Sequence, residues 1–333
     1  MINLGIIGTN WITHQFVKAA LDTGSYALHS VYSRRLETAQ QFAGEYEGTI
    51  LCETDLDIFV ANEALAAVYI ASPNSLHFIQ AKTAILAGKH VIVEKPAFSN
   101  PTEMDEIIAL SKEHNVLFFE AARNIHEKSF QKVADLLAEE KDIIGANFSY
   151  MKYSSRYDAV LNGEEPNIFS PKFSGGSLSD LGIYSVYAAL AWFGKPESVH
   201  HFARKIATGV DGIGTVILRY ANFDVTIQHG KIGESFLSSE IYFEQGTLWM
   251  NAVNAIEKAE LHDRKTGVRA LDITVEDNPM IEEARDFAQV IQAPEAAENK
   301  ERYEEWVTLA QNVNHVLYEM RQQADIHFAA DEK

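Results

Sequence analysis

The chain has 333 residues, 47% apolar and 23% charged, an ordinary globular balance that excludes a disordered or collagen-like polymer. Its 28 Lys and Arg stand against 47 Asp and Glu, a formal charge of −19, which lacks the basic footprint that a nucleic-acid or anionic-membrane binder needs. One cysteine, Cys52, can form neither an internal disulfide nor a Cys-based zinc site, no metal site is expected, and no apolar run reaches the ~18 residues of a bilayer span. The start, Met1-Ile2-Asn3-Leu4, enters an apolar strand with no basic region before it, so a soluble, cytoplasmic protein of about two domains is expected.

Residues 2–8 read as a buried strand, and residues 11–22 carry Trp11, Ile12, Phe16, Val17, Ala20 and Leu21 at helical spacing. Strand character returns at 27–33 and helical character at 35–45. A continuous apolar run covers 66–71, and a helix over 75–87 stops at Gly88. A strand at 90–93, a helix at 101–114 and a strand at 116–119 follow. Strands apolar on both faces that alternate with helices predict a doubly wound parallel sheet, a nucleotide-type α/β domain over residues 1–120. Residues 121–333 form the second domain. It opens with a helix over 127–140, then alternates with period two in segments from 145 to 262, which predicts a mostly antiparallel sheet. A helix near 178–192 interrupts it, and helices at 280–292 and 301–322 end this α+β domain.

The first strand runs into Gly8-Thr9-Asn10-Trp11-Ile12-Thr13, where a dinucleotide fingerprint would have three glycines and this chain has one. Asn10 tolerates left-handed backbone, so the turn can persist as a cofactor-binding element. The second strand ends Val31-Tyr32-Ser33-Arg34-Arg35, with no carboxylate to take a ribose 2′-hydroxyl. A hydroxyl beside guanidiniums suits a 2′-phosphate and favours NADP(H), with NAD(H) as the alternative. Ser33 also reads as a cap of the next helix; the two readings are compatible.

Ligands of open α/β sheets sit beyond the carboxyl ends of the strands. Two later ends are chemically loaded: Ser72-Pro73-Asn74-Ser75-Leu76-His77 and Glu94-Lys95-Pro96. Lys95 at a strand terminus points to a cleft. His77 reads either as a cofactor contact or as a locally packed helix residue. In the second domain, Gly175-Gly176 precedes Asp180 and Tyr184, which share a face if the segment is α-helical. Asp180 also reads as a helix N-terminal acid and Tyr184 as a packed phenol.

Gly5-Ile-Ile-Gly8, Ser33-Arg34, Ser72-Pro73-Asn74-x-x-His77 and Gly88-Lys-His-Val-Ile-Val-Glu94-Lys95-Pro96 together resemble the Gfo/Idh/MocA oxidoreductases. The resemblance implies an N-terminal Rossmann domain and a C-terminal domain with an open-faced sheet. It implies a nicotinamide cofactor held by Gly8, Thr9, Asn10, Trp11, Ile12, Ser33, Arg34, Ser72, Pro73, Asn74, His77, Glu94 and Lys95. The family's second-domain Asp-x-Gly-x-His/Tyr motif is matched by Asp180, Gly182 and Tyr184, in the tyrosine form, closer to the dimeric dihydrodiol dehydrogenase branch than to the inositol dehydrogenases.

The implied reaction is hydride transfer between nicotinamide and a sugar, polyol or small vicinal diol. Tyr184 would shuttle the proton, Lys95 would favour its phenolate and bind the substrate oxygen, and Asp180 would orient Lys95 or a substrate hydroxyl. After the sixth strand the chain departs from the family's usual Met, Arg and Pro; Arg123 and His126 are candidate substrate contacts, with capping or packing as the other reading. A non-catalytic nucleotide-sensing regulator on the same fold is the alternative, although a sensor needs no proton relay. The open sheet face predicts a homodimer or a dimer of dimers.

Overall fold

The computed structural model describes residues 1–139 and 142–332. The chain divides into two compact units, Met1–Arg123 with Glu276–Gln311, and Asn124–Val275 with Asn312–Lys333.

In the first unit the chain runs β1 (Ile2–Ile7), α1 (Trp11–Asp22), β2 (Tyr26–Tyr32), α2 (Leu36–Ala43), β3 (Leu51–Glu53), α3 (Leu56–Ala61), β4 (Ala67–Ile70), α4 (His77–Leu86), β5 (His90–Glu94), α5 (Pro101–Glu113) and β6 (Phe118–Ala121). Among the described residues six strands form one sheet in the order β3-β2-β1-β4-β5-β6, and every pair is parallel. Strand order reverses between β1 and β4, where a doubly wound sheet opens a crevice for a ligand. One face packs Ile6, Phe16, Val17, Tyr69 and Phe119 against Phe287; the other packs Ile70, Val93, Ile107 and Phe118. The Phe16 and Tyr69 rings stack with centroids 3.9 Å apart.

The helix ends follow local chemistry. Gly88 has φ of 74°, and the bonds Gly88 N to Ile85 O and Lys89 N to Ala84 O close α4 in a Schellman motif. Asn100 accepts from Glu103 N while Glu103 accepts from Ser99 N, and Pro101 opens α5.

In the second unit come α6 (Lys128–Glu139), β7 (Ile143–Met151), α7 (Arg156–Leu161), α8 (Ile183–Phe193), β8 (Ser198–Lys205), β9 (Asp211–Arg219), β10 (Asp224–Gly230), β11 (Ser239–Phe243), β12 (Gly246–Met250), β13 (Ala259–Asp263) and β14 (Gly267–Ala270). The expected end of α6 at residue 140 lies outside the described residues. The sheet order is β14-β13-β12-β11-β7-β10-β9-β8. Among the described residues only β7 and β10 pair in parallel. Along β9, Gly214, Val216 and Leu218 are buried while Ile213, Thr215 and Ile217 are half-buried, the period-two signature of a sheet covered on one face. Two more helices follow: α9 (Ile281–Gln292), in the first unit, and α10 (Ala297–Gln323), which belongs to the first unit up to Gln311 and to the second beyond it.

The chain reverses after β1 at Gly8, with φ of 102°, and an added Cβ there would stand 2.6 Å from the Ala71 carbonyl oxygen. Gly8→Ala is therefore expected to destabilise the first unit by about 1–3 kcal/mol, from its positive φ and the close backbone approach. Urea midpoints of the two proteins check this; equal midpoints would contradict the turn geometry.

Candidate active site

In the first unit the turn after β1 is closed by Asn10. Its backbone is extended, with φ of −90° and ψ of 178°, so the left-handed conformation that asparagine tolerates is not used. Its side chain takes over instead. Oδ1 accepts from Ile12 N at 3.0 Å and Thr13 N at 3.4 Å, and Nδ2 donates to Ala71 O at 2.8 Å. Asn10 thus caps α1 and ties it to the end of β4, at the point where strand order reverses. Thr9 and Ile12 are partly exposed in this turn, Trp11 is exposed, and Thr13 is fully buried.

At the end of β2, Ser33 is half-buried and its N–H bonds Glu53 O. Arg35, not Ser33, occupies the N-cap position of α2, and it makes no side-chain capping bond. Arg34 is exposed. A hydroxyl and a guanidinium at a strand's carboxyl end, with the open turn at Gly8, fit a phosphorylated dinucleotide.

The ends of β4 and β5 are held by His77. Its ring is 1% exposed, with Nε2 2.8 Å from Ser72 O and Nδ1 3.2 Å from both Pro96 O and Ala97 O. Burial pushes this imidazole below its ordinary value, against the pull of the Ser72, Pro96 and Ala97 carbonyls. The Ser72 hydroxyl donates to Gln80 Oε1 at 2.7 Å. Pro73 and Asn74 follow, half-buried, at the start of a short 3-10 turn.

The Lys95–Pro96 bond is cis. Lys95 is half-buried, and Ala97 N donates to Glu120 Oε1 at 2.8 Å. Glu94 is buried and accepts from Tyr69 Oη at 2.5 Å. Burial pushes the Glu94 carboxyl up, while the Tyr69 hydrogen bond and the charges of Lys95 and Arg123 oppose this. Arg123 thereby has an electrostatic role toward Glu94. Sequence reasoning missed Tyr69, Gln80 and Glu120, whose partners lie at least eight residues away.

In the second unit, Gly175 and Gly176 lead into the segment of the Asp180 motif. A Cβ on Gly175 would meet the Ile168 backbone at 2.6 Å, and one on Gly176, with φ of 128°, would collide with Asp211. Residues Leu178–Gly182 then form a π-helical turn, and α8 begins only at Ile183. The wider turn changes the angular offset between Asp180 and Tyr184 that α-helical spacing predicts. Such turns are rare and cluster at functional sites.

A buried polar chain supports this turn. Asp211 Oδ2 accepts from Ser177 Oγ and from Leu178 N, both at 2.6 Å. Ser177 Oγ lies 2.8 Å from His229 Nδ1, His229 Nε2 lies 3.0 Å from His201 Nε2, and His201 Nδ1 lies 3.0 Å from Met320 O. Burial pushes His229 down to about 4, with Asp211 opposing and His201 adding to the shift.

Asp180 forms an ion pair with Lys231, whose side chain is buried. Tyr184 is half-buried, its ring packs edge-on to Tyr150 at 5.9 Å, and its carbonyl accepts from Asn124 Nδ2 at 3.4 Å. His126 is buried in the 3-10 turn that also holds Asn124. None of Lys231, His229 or Asn124 carried a local sequence signal.

A parallel sheet with a glycine-turned switch point and a lysine just past a neighbouring strand has the form of a dinucleotide-binding α/β protein. Residues 2–122 match the oxidoreductase family with the NAD-binding Rossmann fold, and residues 131–249 match the GFO/IDH/MocA C-terminal domain. The chain belongs to the Gfo/Idh/MocA oxidoreductase family. It is 36% identical over 332 residues, 100% of both chains, to the scyllo-inositol 2-dehydrogenase (NADP(+)) IolU of Bacillus subtilis (strain 168). It is 42% identical over 291 residues to the oxidoreductase YgjR of Escherichia coli (strain K12), covering 87% of this chain and 88% of that one. In fold it is similar to KijD10, a 3-ketoreductase from Actinomadura kijaniata solved with NADP and TDP-benzene, with a TM-score of 0.82, 21% identity and 97% of each chain covered.

The buried imidazole makes stability depend on pH. His229 takes up a proton near pH 6.5 in the unfolded chain but only near pH 4 in the folded one, so the unfolded state binds more protons between these values. Stability is expected to fall by about 3 kcal/mol from this group as pH drops through that window. Urea denaturation of wild type and His229→Gln across the window checks this; identical pH slopes would contradict it.

Proposed function

We propose that the protein is an NADP(H)-dependent dehydrogenase/reductase that interconverts a ring hydroxyl and a ketone on a cyclic polyol or a related sugar. The observation that carries this reading is the half-buried lysine, Lys95, just past the end of β5 on the β4 side of the switch point, beside the His77-held end of β4. The full-length likeness to IolU supports a polyol, and Tyr184 in place of histidine supports a proton donor of the dihydrodiol dehydrogenase type. The relatives named above are oxidoreductases, and these observations lend no support to the regulatory alternative.

The bound cofactor supplies the hydride. The residues of the chain do the rest. Ser33 and Arg34 take the 2′-phosphate, with NAD(H) accepted less well. The turn Gly8–Ile12 receives the pyrophosphate at the start of α1, with Ser72, Pro73, Asn74 and Glu94 framing the nicotinamide end and His77 fixing their backbone. In reduction Tyr184 gives its proton to the carbonyl oxygen, and in oxidation it takes one back. The ammonium of Lys95 binds the substrate oxygen. Asp180 accepts from a neighbouring substrate hydroxyl, and Arg123 and His126 are the further candidate contacts.

Lys95→Ala is expected to lower kcat about 100-fold or more on the best polyol of a panel, with NADPH still bound. Steady-state rates and a fluorescence titration check this; a rate like wild type would remove Lys95 from the reaction. Phe202 is exposed on the uncovered face of the second unit's sheet, and Ile213, Ile217, Tyr242 and Trp249 are half-buried there. This face supports a homodimer or a dimer of dimers. Light scattering should give at least a dimer, and Ile217→Asp should lower the mass; a wild-type monomer would refute the assembly.

A further inference from the structure

Lys231 lies just past the end of β10 and is 4% exposed. Its ammonium pairs with Asp180 and lies 5.7 Å from the centroid of the buried Phe169 ring. Its backbone is fixed on both sides: its N–H bonds Gly212 O at 2.8 Å, and its carbonyl accepts from Ser154 N at 3.0 Å. Taking an ammonium out of water is costly, and a buried pair rarely stabilises a fold more than an apolar substitute would. A gain in stability is therefore weak grounds for a lysine here. The carboxylate it meets belongs to the Asp180–Tyr184 motif and is itself only partly buried, with 29% of its side chain exposed.

The same end of β10 supports the turn that carries the motif. His229, inside β10, stands two residues before Lys231. It bonds Ser177, immediately before the π-helical turn, and lies so close to Gly182, which ends that turn, that a Cβ there would meet the imidazole at 3.1 Å. Asp211 takes the Ser177 hydroxyl and the Leu178 N–H. His229 and Asp211 thus fix both ends of the turn, and Lys231 fixes the carboxylate that projects from its middle.

We propose that Lys231 is a positioning residue of the reaction: its ion pair holds the Asp180 carboxylate in place and balances its charge while negative charge develops on the substrate oxygen. This rests on the oxidoreductase reading above. An uncompensated carboxylate near a developing alkoxide would oppose it by Coulomb repulsion, most strongly where water is excluded. A lysine pair reduces that repulsion and leaves the carboxylate able to accept from a substrate hydroxyl.

The test is a double-mutant cycle of K231M, D180N and the combined variant in the full-length protein. NADPH-dependent reduction of a polyol ketone, NADPH affinity by fluorescence titration, and thermal unfolding are measured on each. K231M is expected to lower kcat about 100-fold with KM for NADPH unchanged, because a carboxylate misplaced by about an ångström loses the aligned geometry. The combined variant should lose no more than the worse single one. A K231M enzyme with the wild-type kcat, or losses that multiply, would overturn the proposal. If wild type turns over no polyol or ketone, the polyol reading fails by itself, and the pair is then judged by unfolding. Each single variant should melt below the combined one, since each breaks the ion pair from one side only; additive losses in melting temperature would overturn it.

Discussion

Backbone groups that leave a sheet or helix ladder inside the protein must find another partner, and the rest of this structure depends on how they do so. In the first unit the strand ends that matter chemically are closed by side chains. Asn10 satisfies two amides at the start of α1 and the carbonyl of Ala71. His77 lies against the carbonyls of Ser72, Pro96 and Ala97, on either side of the β4 and β5 ends. Glu120 takes the amide of Ala97. Lys95 stands directly before two residues, Pro96 and Ala97, whose backbone groups meet His77 and Glu120.

The second unit meets the same requirement differently. The glycines at 175 and 176 bring the backbone against Ile168 and Asp211, and the turn that follows is wider than an α-helix. Its first amide is met by a carboxylate with 1% exposure, and the chain of Ser177, His229 and His201 ends on the Met320 carbonyl. Buried polar chains of this kind stabilise only when each member is satisfied. They also specify geometry, and here that geometry carries Asp180 and Tyr184. The neutral His229 that burial favours is part of the same arrangement, which links fold stability in acid to the integrity of the turn.

Much of the fold was readable from pattern. Alternating period gave the parallel sheet of the first unit and the antiparallel sheet of the second, because strands buried on two faces and on one leave different traces. Gly88 and Pro101 marked helix limits through backbone chemistry that acts locally. The three-residue β3, Leu51-Cys52-Glu53, left no trace, since so short and mixed a segment has no period. Nor could amphipathic spacing say that residues 276–311 belong to the first unit, because a helix's apolar stripe does not name its partner. The candidate site divided the same way. Lys95 and the Asp180–Tyr184 pair were visible as residue types at telling positions. Lys231 and Asp211 were not, because their partners lie 51 and 33 residues away and are set by sheet register. Asn10 was visible as a turn residue, but the side chain that caps α1 carried no sequence signal.

The most direct test of the central claim follows the hydride itself. NADPH carrying deuterium at its transferable position is incubated with a polyol ketone that the protein reduces, and the product alcohol is analysed by mass spectrometry and NMR. The account predicts one deuterium on the new carbinol carbon of the product. Product alcohol formed without deuterium at that carbon, or NADPH left unoxidised across a full panel of polyol ketones, would contradict it.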